Sequence, residues 1–145
     1  METLKIVCHS CQSINTVDMK TKEDVVPCVQ CQTDLDDPFS AEVTDESAAI
    51  FIQEHETAIL LDFYSTTCGP CMAMYEDYED AALGFSFKVK FLKINADKHT
   101  DIAKKYAVSG LPTIIAFKNG EEVDRISNQL SLTQLTLWAE KLIKW

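Results

Sequence analysis

The residues of this chain best suited to chemistry are its six cysteines, which fall into three Cys-x-x-Cys pairs. The pairs are Cys8/Cys11, Cys28/Cys31 and Cys68/Cys71. Two thiols at this spacing can interconvert between a dithiol and a disulfide, or they can bind a metal ion. In a reducing compartment the spacing indicates one of these two roles rather than a structural disulfide framework.

The third pair lies in the segment CGPC, shortly after the apolar run AILLDFY (58–64), which has the length of a buried strand. Cys68 stands at the start of a helical pattern, where free backbone N–H groups and the helix dipole stabilise a thiolate. Cys71 follows one turn later, and Pro70 suits the first helical turn. The pattern favours a redox dithiol in which Cys68 attacks. The alternatives are a buried cysteine pair or half of a metal site.

The first two pairs form the pattern C-x2-C, sixteen residues, C-x2-C, which is typical of a four-cysteine zinc site. Zinc prefers four thiolates in a tetrahedron. A segment of about 40 residues cannot bury enough apolar surface to fold alone, so the metal would supply folding free energy. We predict one structural Zn²⁺, with two disulfides or a second redox pair as alternatives, and exclude His9 because four thiolates suffice. The predicted ligands are Cys8, Cys11, Cys28 and Cys31.

An acidic segment that contains Pro38 separates these two pairs from ordinary core-forming patterns. It predicts a linker near residues 34–41, with a small zinc-binding domain over 1–38 and a second domain over 41–145. In the second domain, strands are predicted over 58–64 and 88–94, and the Asn119-Gly120 dipeptide predicts a hairpin within residues 113–126.

Helices are predicted to begin near residues 44, 68, 100 and 131. Together with the strands they give the order α-β-α-β-α-β-β-α, with or without a short strand first. This order predicts an α/β domain with a mixed central sheet and helices on both faces. In the second helix the spacing places Tyr75 inside and the acidic residues outside, and we expect His55 on the surface. The acidic residues are Glu76, Asp77, Glu79 and Asp80.

The chain is acidic, with a formal net charge of −10 at pH 7. Nucleic-acid binding requires a basic face, so we expect no nucleic acid among its partners. No apolar run reaches the roughly 18 residues of a membrane span. The start of the sequence, METLKIVCHS, lacks the features of a secretory signal. We therefore expect a cytoplasmic protein that does not bind membranes.

Residues 41–145 resemble the thioredoxin family. The resemblance is carried by CGPC after an apolar strand, by Asp62 within AILLDFY, by Lys93 within FLKINAD, and by GLPTIIAFKNGEEV, in which Pro112 matches the family's cis-proline. It implies a thioredoxin fold, here preceded by a zinc-ribbon-like domain. That layout resembles the zinc-binding second type of bacterial thioredoxin.

The resemblance also implies a protein-disulfide reductase. Asp62, aided by Lys93, would accept the proton of Cys71, and burial of its carboxyl would raise its pKa toward a value useful for a base. The substrate-binding residues would be Gly69, Pro70, Leu111 and Pro112. The partners would be protein disulfides and a flavin- and NADPH-dependent thioredoxin reductase or a dedicated donor. The chain would bind neither flavin nor nicotinamide and would be a monomer.

Four positions depart from the family pattern. Thr67 and Tyr64 stand where the family usually has tryptophan, Met72 where Lys or Arg is common, and Asn128 where glycine is usual. These changes alter the surface around Cys68 and therefore its choice of partners. Two other functions stay open. One is a redox-switched binding or chaperone module in which the zinc site is the switch. The other is a disulfide oxidase or isomerase. The Gly-Pro between the cysteines argues against the oxidase by resemblance.

Overall fold

A computed structural model describes residues 2–144, which form a small hairpin and a five-stranded sheet with four helices. The hairpin pairs β1 (Thr3–Val7) with β2 (Ile14–Asp18) in antiparallel fashion. The strands of the large sheet are β3 (Ala41–Val43), β4 (Ala58–Tyr64), β5 (Val89–Asn95), β6 (Thr113–Lys118) and β7 (Glu121–Ile126). The helices are α1 (Asp45–Glu54), α2 (Gly69–Ala82), α3 (Asp101–Lys105) and α4 (Leu132–Ile143).

The large sheet is mixed, with the strand order β3-β5-β4-β6-β7. Strands β3, β5 and β4 run parallel, while β6 and β7 are antiparallel to their neighbours. Helices α2 and α4 cover one face of the sheet, and α1 and α3 cover the other. The central strand β4 is buried along nearly its whole length because both of its faces are covered. The predicted mixed sheet with helices on both faces is confirmed.

Local sequence signals account for the starts of two helices and for one hairpin turn. Thr44 caps α1 and Ser131 caps α4, each through a reciprocal capping box. Asn119 and Gly120 have φ angles of 55° and 82°, as a two-residue type I′ hairpin turn requires. The predicted inward position of Tyr75 is wrong, because its side chain is 53% exposed. Its ring instead lies under the ammonium of Lys93, a residue of β5.

The hairpin packs against the loop between α1 and β4. The backbone N–H of Glu56 donates to the Lys5 carbonyl at 2.9 Å, and the backbone N–H of Lys5 donates to Glu56 Oε1 at 2.7 Å. The neighbouring His55 is only 5% exposed and accepts a hydrogen bond from the N–H of Val7. The predicted surface position of His55 is therefore wrong, because β1 covers it. Within residues 2–144, no helix has the length and apolar character needed to cross a membrane.

Candidate functional site

The Cys68/Cys71 pair lies at the start of α2, at the carboxyl end of the central strand β4. Cys68 is the N-cap residue, and its Sγ accepts a hydrogen bond from the Cys71 backbone N–H at 3.2 Å. The two cysteines form a disulfide with a Cα–Cα distance of 5.3 Å. Cys68 is partly exposed, whereas Cys71 is 3% exposed. An incoming thiol or disulfide can therefore reach Cys68, while Cys71 stays beneath the surface.

Asp62 lies in the middle of the buried strand β4 and lines a cavity of about 300 Å³ that also borders Cys71. Its side chain is 6% exposed, and Oδ1 has no hydrogen-bond partner among the described residues. Burial raises the pKa of Asp62 to about 7, opposed by the charge of Lys93 and reinforced by that of Glu42. An unpartnered carboxyl with a pKa near neutrality can accept and release a proton under physiological conditions.

Lys93 lines the same cavity but its ammonium does not pair with Asp62. Lys93 Nζ donates to Glu79 Oε1 at 3.3 Å and lies 4.5 Å from the centre of the Tyr75 ring. Glu79 in turn accepts hydrogen bonds from the backbone N–H and the hydroxyl of Ser40. The predicted outer position of Glu79 is therefore wrong, since its side chain is 14% exposed. The expected site residues Asp62, Cys71 and Lys93 meet at one cavity, with Glu79 as a fourth member.

The predicted substrate-binding residues lie in two separate segments. The Leu111–Pro112 peptide bond is cis, and Pro112 directly precedes β6, whose Thr113 pairs with Phe63 at the end of β4. The proline therefore lies at the end of the sheet where β4 finishes and the chain continues to Cys68. Gly69 and Pro70 are exposed at the start of α2, and a Cβ on Gly69 would meet no atom within 4 Å. The backbone at this glycine is open to a docking chain.

Polar side chains organise the loop that precedes Cys68. The Ser65 hydroxyl donates to Asp97 Oδ2 at 2.6 Å and lies 3.0 Å from the Thr67 hydroxyl. Tyr64 donates to Glu42 Oε1 at 2.7 Å, and burial is the main cause that raises the pKa of Tyr64 above its ordinary value. Met72 is 42% exposed beside the cavity. The surface next to the dithiol is thus made of hydroxyls, a thioether and carboxylates.

The other four cysteines form a second cluster beside the hairpin. Their Sγ atoms all lie within 4.8 Å of one another, with Cys8 and Cys31 at 3.7 Å and Cys11 and Cys28 at 3.6 Å. A zinc ion with four sulfur ligands at about 2.3 Å would place those sulfurs about 3.8 Å apart. The thiols therefore fit a tetrahedral zinc site. His9 lies outside the cluster, with Nε2 3.1 Å from the Asp34 carbonyl.

Two turns of the same design present the four thiols. In each turn the first cysteine N–H bonds to a carbonyl five residues on, as Cys8 does to Ser13 and Cys28 does to Thr33. The carbonyls of Cys8 and Cys28 accept the N–H of the residue four positions later, which is Gln12 or Gln32. Both glutamines have a left-handed backbone conformation, with φ angles of 62° and 64°. The repeated backbone shape explains why two C-x2-C segments can face each other with four converging sulfurs.

Asn15 joins the two turns and was not singled out by the sequence. It is 3% exposed, its Nδ2 donates to Cys28 Sγ at 3.5 Å, and its Oδ1 accepts the Val29 N–H at 2.9 Å. The hydrogen bond to sulfur is the main cause that lowers the pKa of Cys28 to about 6. Burial has the opposite effect on Cys8 and raises its pKa to about 11. The signal available in the sequence was that Asn15 lies on the same face of β2 as the apolar Val17.

A dithiol at a helix N-terminus, next to a buried carboxyl on a mixed sheet, defines the class of thiol-disulfide oxidoreductases. The family model described as Thioredoxin matches residues 39–141, most of the chain beyond the four-cysteine cluster. The chain belongs to the thioredoxin family.

Individual relatives agree with this assignment. "Thioredoxin" from Rickettsia felis is 34% identical over 101 residues, which cover 70% of this chain and 96% of that protein. "Thioredoxin Y, chloroplastic" from Oryza sativa is 34% identical over 93 residues, 64% of this chain, and the match spans only 55% of the plant protein. The structure of a mutant thioredoxin from Halobacterium salinarum shares the fold, with a TM-score of 0.63 at 24% identity, covering 74% of this chain and 94% of that one.

Proposed function

We propose that this chain is a protein-disulfide reductase that uses the Cys68/Cys71 dithiol. The observation that carries the proposal is the different exposure of the two sulfurs. Cys68 is accessible at a helix N-terminus, whereas Cys71 is buried and borders the cavity of Asp62. An accessible thiolate suits attack on a substrate, and a buried thiol beside a base suits resolution of the product.

Exchange proceeds in two steps. The Cys68 thiolate attacks one sulfur of a substrate disulfide, whose S–S bond breaks, and the first substrate thiolate leaves and takes a proton from solvent. Cys71 then gives its proton to Asp62, and its thiolate attacks Cys68 Sγ. The mixed disulfide breaks, and the second substrate thiolate leaves. The substrate gains two electrons, and the chain ends with the Cys68–Cys71 disulfide seen in the structure.

An extended substrate segment docks between the Leu111–Pro112 segment and the exposed start of α2. The backbone of Leu111, which precedes the cis-proline Pro112, would hydrogen-bond to that segment as an added strand does. Gly69 and Pro70 would contact it from the start of α2. A thioredoxin reductase that carries flavin and uses NADPH, or a dedicated donor, then restores the dithiol. This chain would bind neither cofactor itself and would act as a monomer in the cytoplasm.

The four-cysteine cluster is proposed to hold one structural Zn²⁺, as in the zinc-binding second type of thioredoxin. The thiol spacing and the repeated turns support this assignment. The ion would supply a fixed tetrahedral link between the two turns and would take no part in electron transfer. The boundaries 1–38 and 41–145 remain the proposed division between the zinc-binding domain and the thioredoxin domain.

The test is reduction of insulin disulfides, first with dithiothreitol as the electron source and then with a thioredoxin reductase and NADPH. Wild-type chain should accelerate the reaction with dithiothreitol and Cys68→Ser should not. Cys71→Ser should accumulate a mixed disulfide with the substrate, because the resolving thiol is gone. Activity with dithiothreitol but not with the reductase would assign a dedicated donor. Absence of activity with either source would refute the reductase and favour the binding module.

A further inference from the structure

Acidic side chains outnumber basic ones around the Asp62 carboxyl. The ionisable groups that line its cavity are Glu42 of β3, Tyr64 of β4, Lys93 of β5, and Cys71, Tyr75, Tyr78 and Glu79 of α2. On the remaining side, β6 contributes Ile114, which is uncharged, as the register partner of Asp62. Lys93 is therefore the single cation among the described residues that line the cavity. The position of its ammonium group decides how strongly the Asp62 carboxylate is stabilised.

The strand register would allow Lys93 to pair with Asp62, but the Lys93 ammonium does not contact the Asp62 carboxylate. The two residues are register partners on the parallel strands β4 and β5, so their side chains leave the sheet on the same face. Neighbouring strands are only about 4.8 Å apart, and a lysine stem is long and flexible. Within residues 2–144, the carboxylate that Lys93 contacts is nevertheless that of Glu79. Asp62 Oδ1 is left without a partner among the same residues.

Glu79 is held in place from a distant part of the chain. The Ser40 backbone N–H donates to Oε2 at 3.1 Å, and the Ser40 hydroxyl donates to Oε1. Ser40 is itself buried at 9% exposure, immediately before β3. The carboxylate therefore has both oxygens occupied on one side and presents Oε1 to Lys93 on the other. The ring of Tyr75 gives the same ammonium a second contact, of the cation–π type.

We propose that Glu79 is a positioning residue that holds the Lys93 ammonium away from Asp62 and so preserves Asp62 as the acceptor of the Cys71 proton. The inference rests on the proposed function, because it assigns a role within thiol exchange. Removal of the Glu79 charge frees Lys93 to approach Asp62. A closer ammonium stabilises the carboxylate and makes it a weaker base.

The direct test is an NMR titration of the Asp62 carboxyl carbon in the oxidised full-length chain. Glu79→Gln keeps the shape of the side chain and should raise the acid dissociation constant of Asp62 at least about tenfold, as expected for an approaching opposite charge. In a Lys93→Met background the same substitution should change it less than about twofold. Glu76→Gln is the matched control, because it removes an equal charge from an exposed position of α2.

The double variant separates positioning from simple charge. An unchanged dissociation constant in Glu79→Gln would overturn the proposal, and so would an equal increase in the Lys93→Met background, which would show that Glu79 acts on Asp62 directly. Ser40→Ala removes one of the two donors from Ser40 and should shift the constant in the same direction by a smaller factor. Thermal unfolding of each variant verifies that it is folded before it is titrated.

A second readout connects the position of Lys93 to exchange. With dithiothreitol as donor, the pH dependence of insulin reduction should move toward acid in Glu79→Gln, in parallel with the Asp62 titration, and should stay in place in Glu76→Gln. A profile that does not move while the titration does would overturn the link to the Cys71 proton. Failure of wild-type chain to reduce insulin would refute the proposed function alone, because the carboxyl titration needs no substrate.

Discussion

His55 Nδ1 accepts a hydrogen bond from the backbone N–H of Val7 at 3.1 Å, directly before the first cysteine of the four-cysteine cluster. The imidazole lies at the end of α1, beneath β1, and is 5% exposed. Burial, with a smaller effect from the positive charge of Lys90, lowers the pKa of His55 to about 3. Protonation at Nδ1 would remove the acceptor, so the attachment of the hairpin to the large domain requires a neutral ring.

The first prediction concerns stability in mild acid. The pKa of His55 is about 3 in the folded chain against an ordinary value of 6.5, so the unfolded chain binds the extra proton between these values. The contribution of His55 is fully present above pH 6.5 and falls below it, by up to about 1.4 kcal/mol per pH unit. His55→Asn keeps an acceptor near the position of Nδ1 and does not titrate. Urea unfolding should show wild type losing stability relative to this variant between pH 6.5 and pH 5.

His99→Asn is the control for this experiment, since it removes a histidine from the loop after β5 instead. This variant keeps His55 and should therefore keep the pH dependence that His55 produces. If the curves of wild type and His55→Asn stay parallel from pH 7 to pH 5, the buried neutral imidazole is refuted.

The second prediction concerns Asp62, whose effect on stability has the opposite sign. Its pKa is raised from 3.8 to about 7, so the folded chain binds the extra proton between these values. The buried charge therefore destabilises the fold most above pH 7, and the penalty declines as the pH falls toward 3.8. We expect Asp62→Asn to be more stable than wild type at pH 8 by roughly 4 kcal/mol, with a smaller gain at pH 5. Denaturant unfolding at the two pH values measures the difference.

The same substitution should slow thiol exchange. A side-chain amide cannot take the Cys71 proton, so resolution of the mixed disulfide should be slower in Asp62→Asn than in wild type. The rate can be followed by mass spectrometry after rapid acid quenching. A stabilised variant with an unchanged rate of resolution would remove Asp62 from the proposed mechanism.

The third prediction concerns removal of the metal. The purified chain should contain about one zinc ion, released by a thiol-specific mercurial and detected with a chromogenic chelator. A strong chelator should unfold the hairpin region, whose small core includes Cys8 and Cys28, while the large sheet keeps its own two core clusters. Cys11→Ser should have the same effect. The expectation would be contradicted if the chain contained no metal. It would also be contradicted if removal of the metal abolished the amide NMR signals of both sheets.

The fourth prediction concerns Asn15, which lies buried behind the four-cysteine cluster. Asn15→Ala removes the hydrogen bond to Cys28 Sγ and leaves the N–H of Val29 without its side-chain partner. Groups of this kind around a metal site typically change affinity by about 10–100-fold, so we expect a loss of zinc affinity in that range. Competition with a chelating dye measures it. Thr16→Ala, an exposed neighbour in β2, should bind zinc as wild type does.

Short-range patterns predicted most of the secondary structure. The helix starts near residues 44 and 131 and the Asn119-Gly120 turn are each decided within four residues, and the structure shows all three. The hairpin of β1 and β2 was not predicted. Its strands are five residues long, and Ile14 at the start of β2 is 45% exposed, so apolar alternation there is weak.

The sequence by itself determined the chemistry of this protein. The spacing of two residues between cysteines is a local feature, and it sufficed to predict a dithiol and a four-thiol cluster. The thioredoxin fold was implied by the family resemblance of CGPC, Asp62, Lys93 and GLPTIIAFKNGEEV. Spacing carries this information because a helix turn or a tight turn brings nearby residues together whatever the rest of the chain does.

Only the tertiary structure decided the surroundings of those groups. Glu79 was expected in solvent, yet it joins Ser40, 39 positions away, to Lys93. His55 was expected on the surface, yet it bonds to Val7, 48 positions away. Both outcomes depend on how the hairpin and the linker pack across the large sheet. Periodicity reports which face of one element is apolar, and it contains no information about which distant segment covers a polar face.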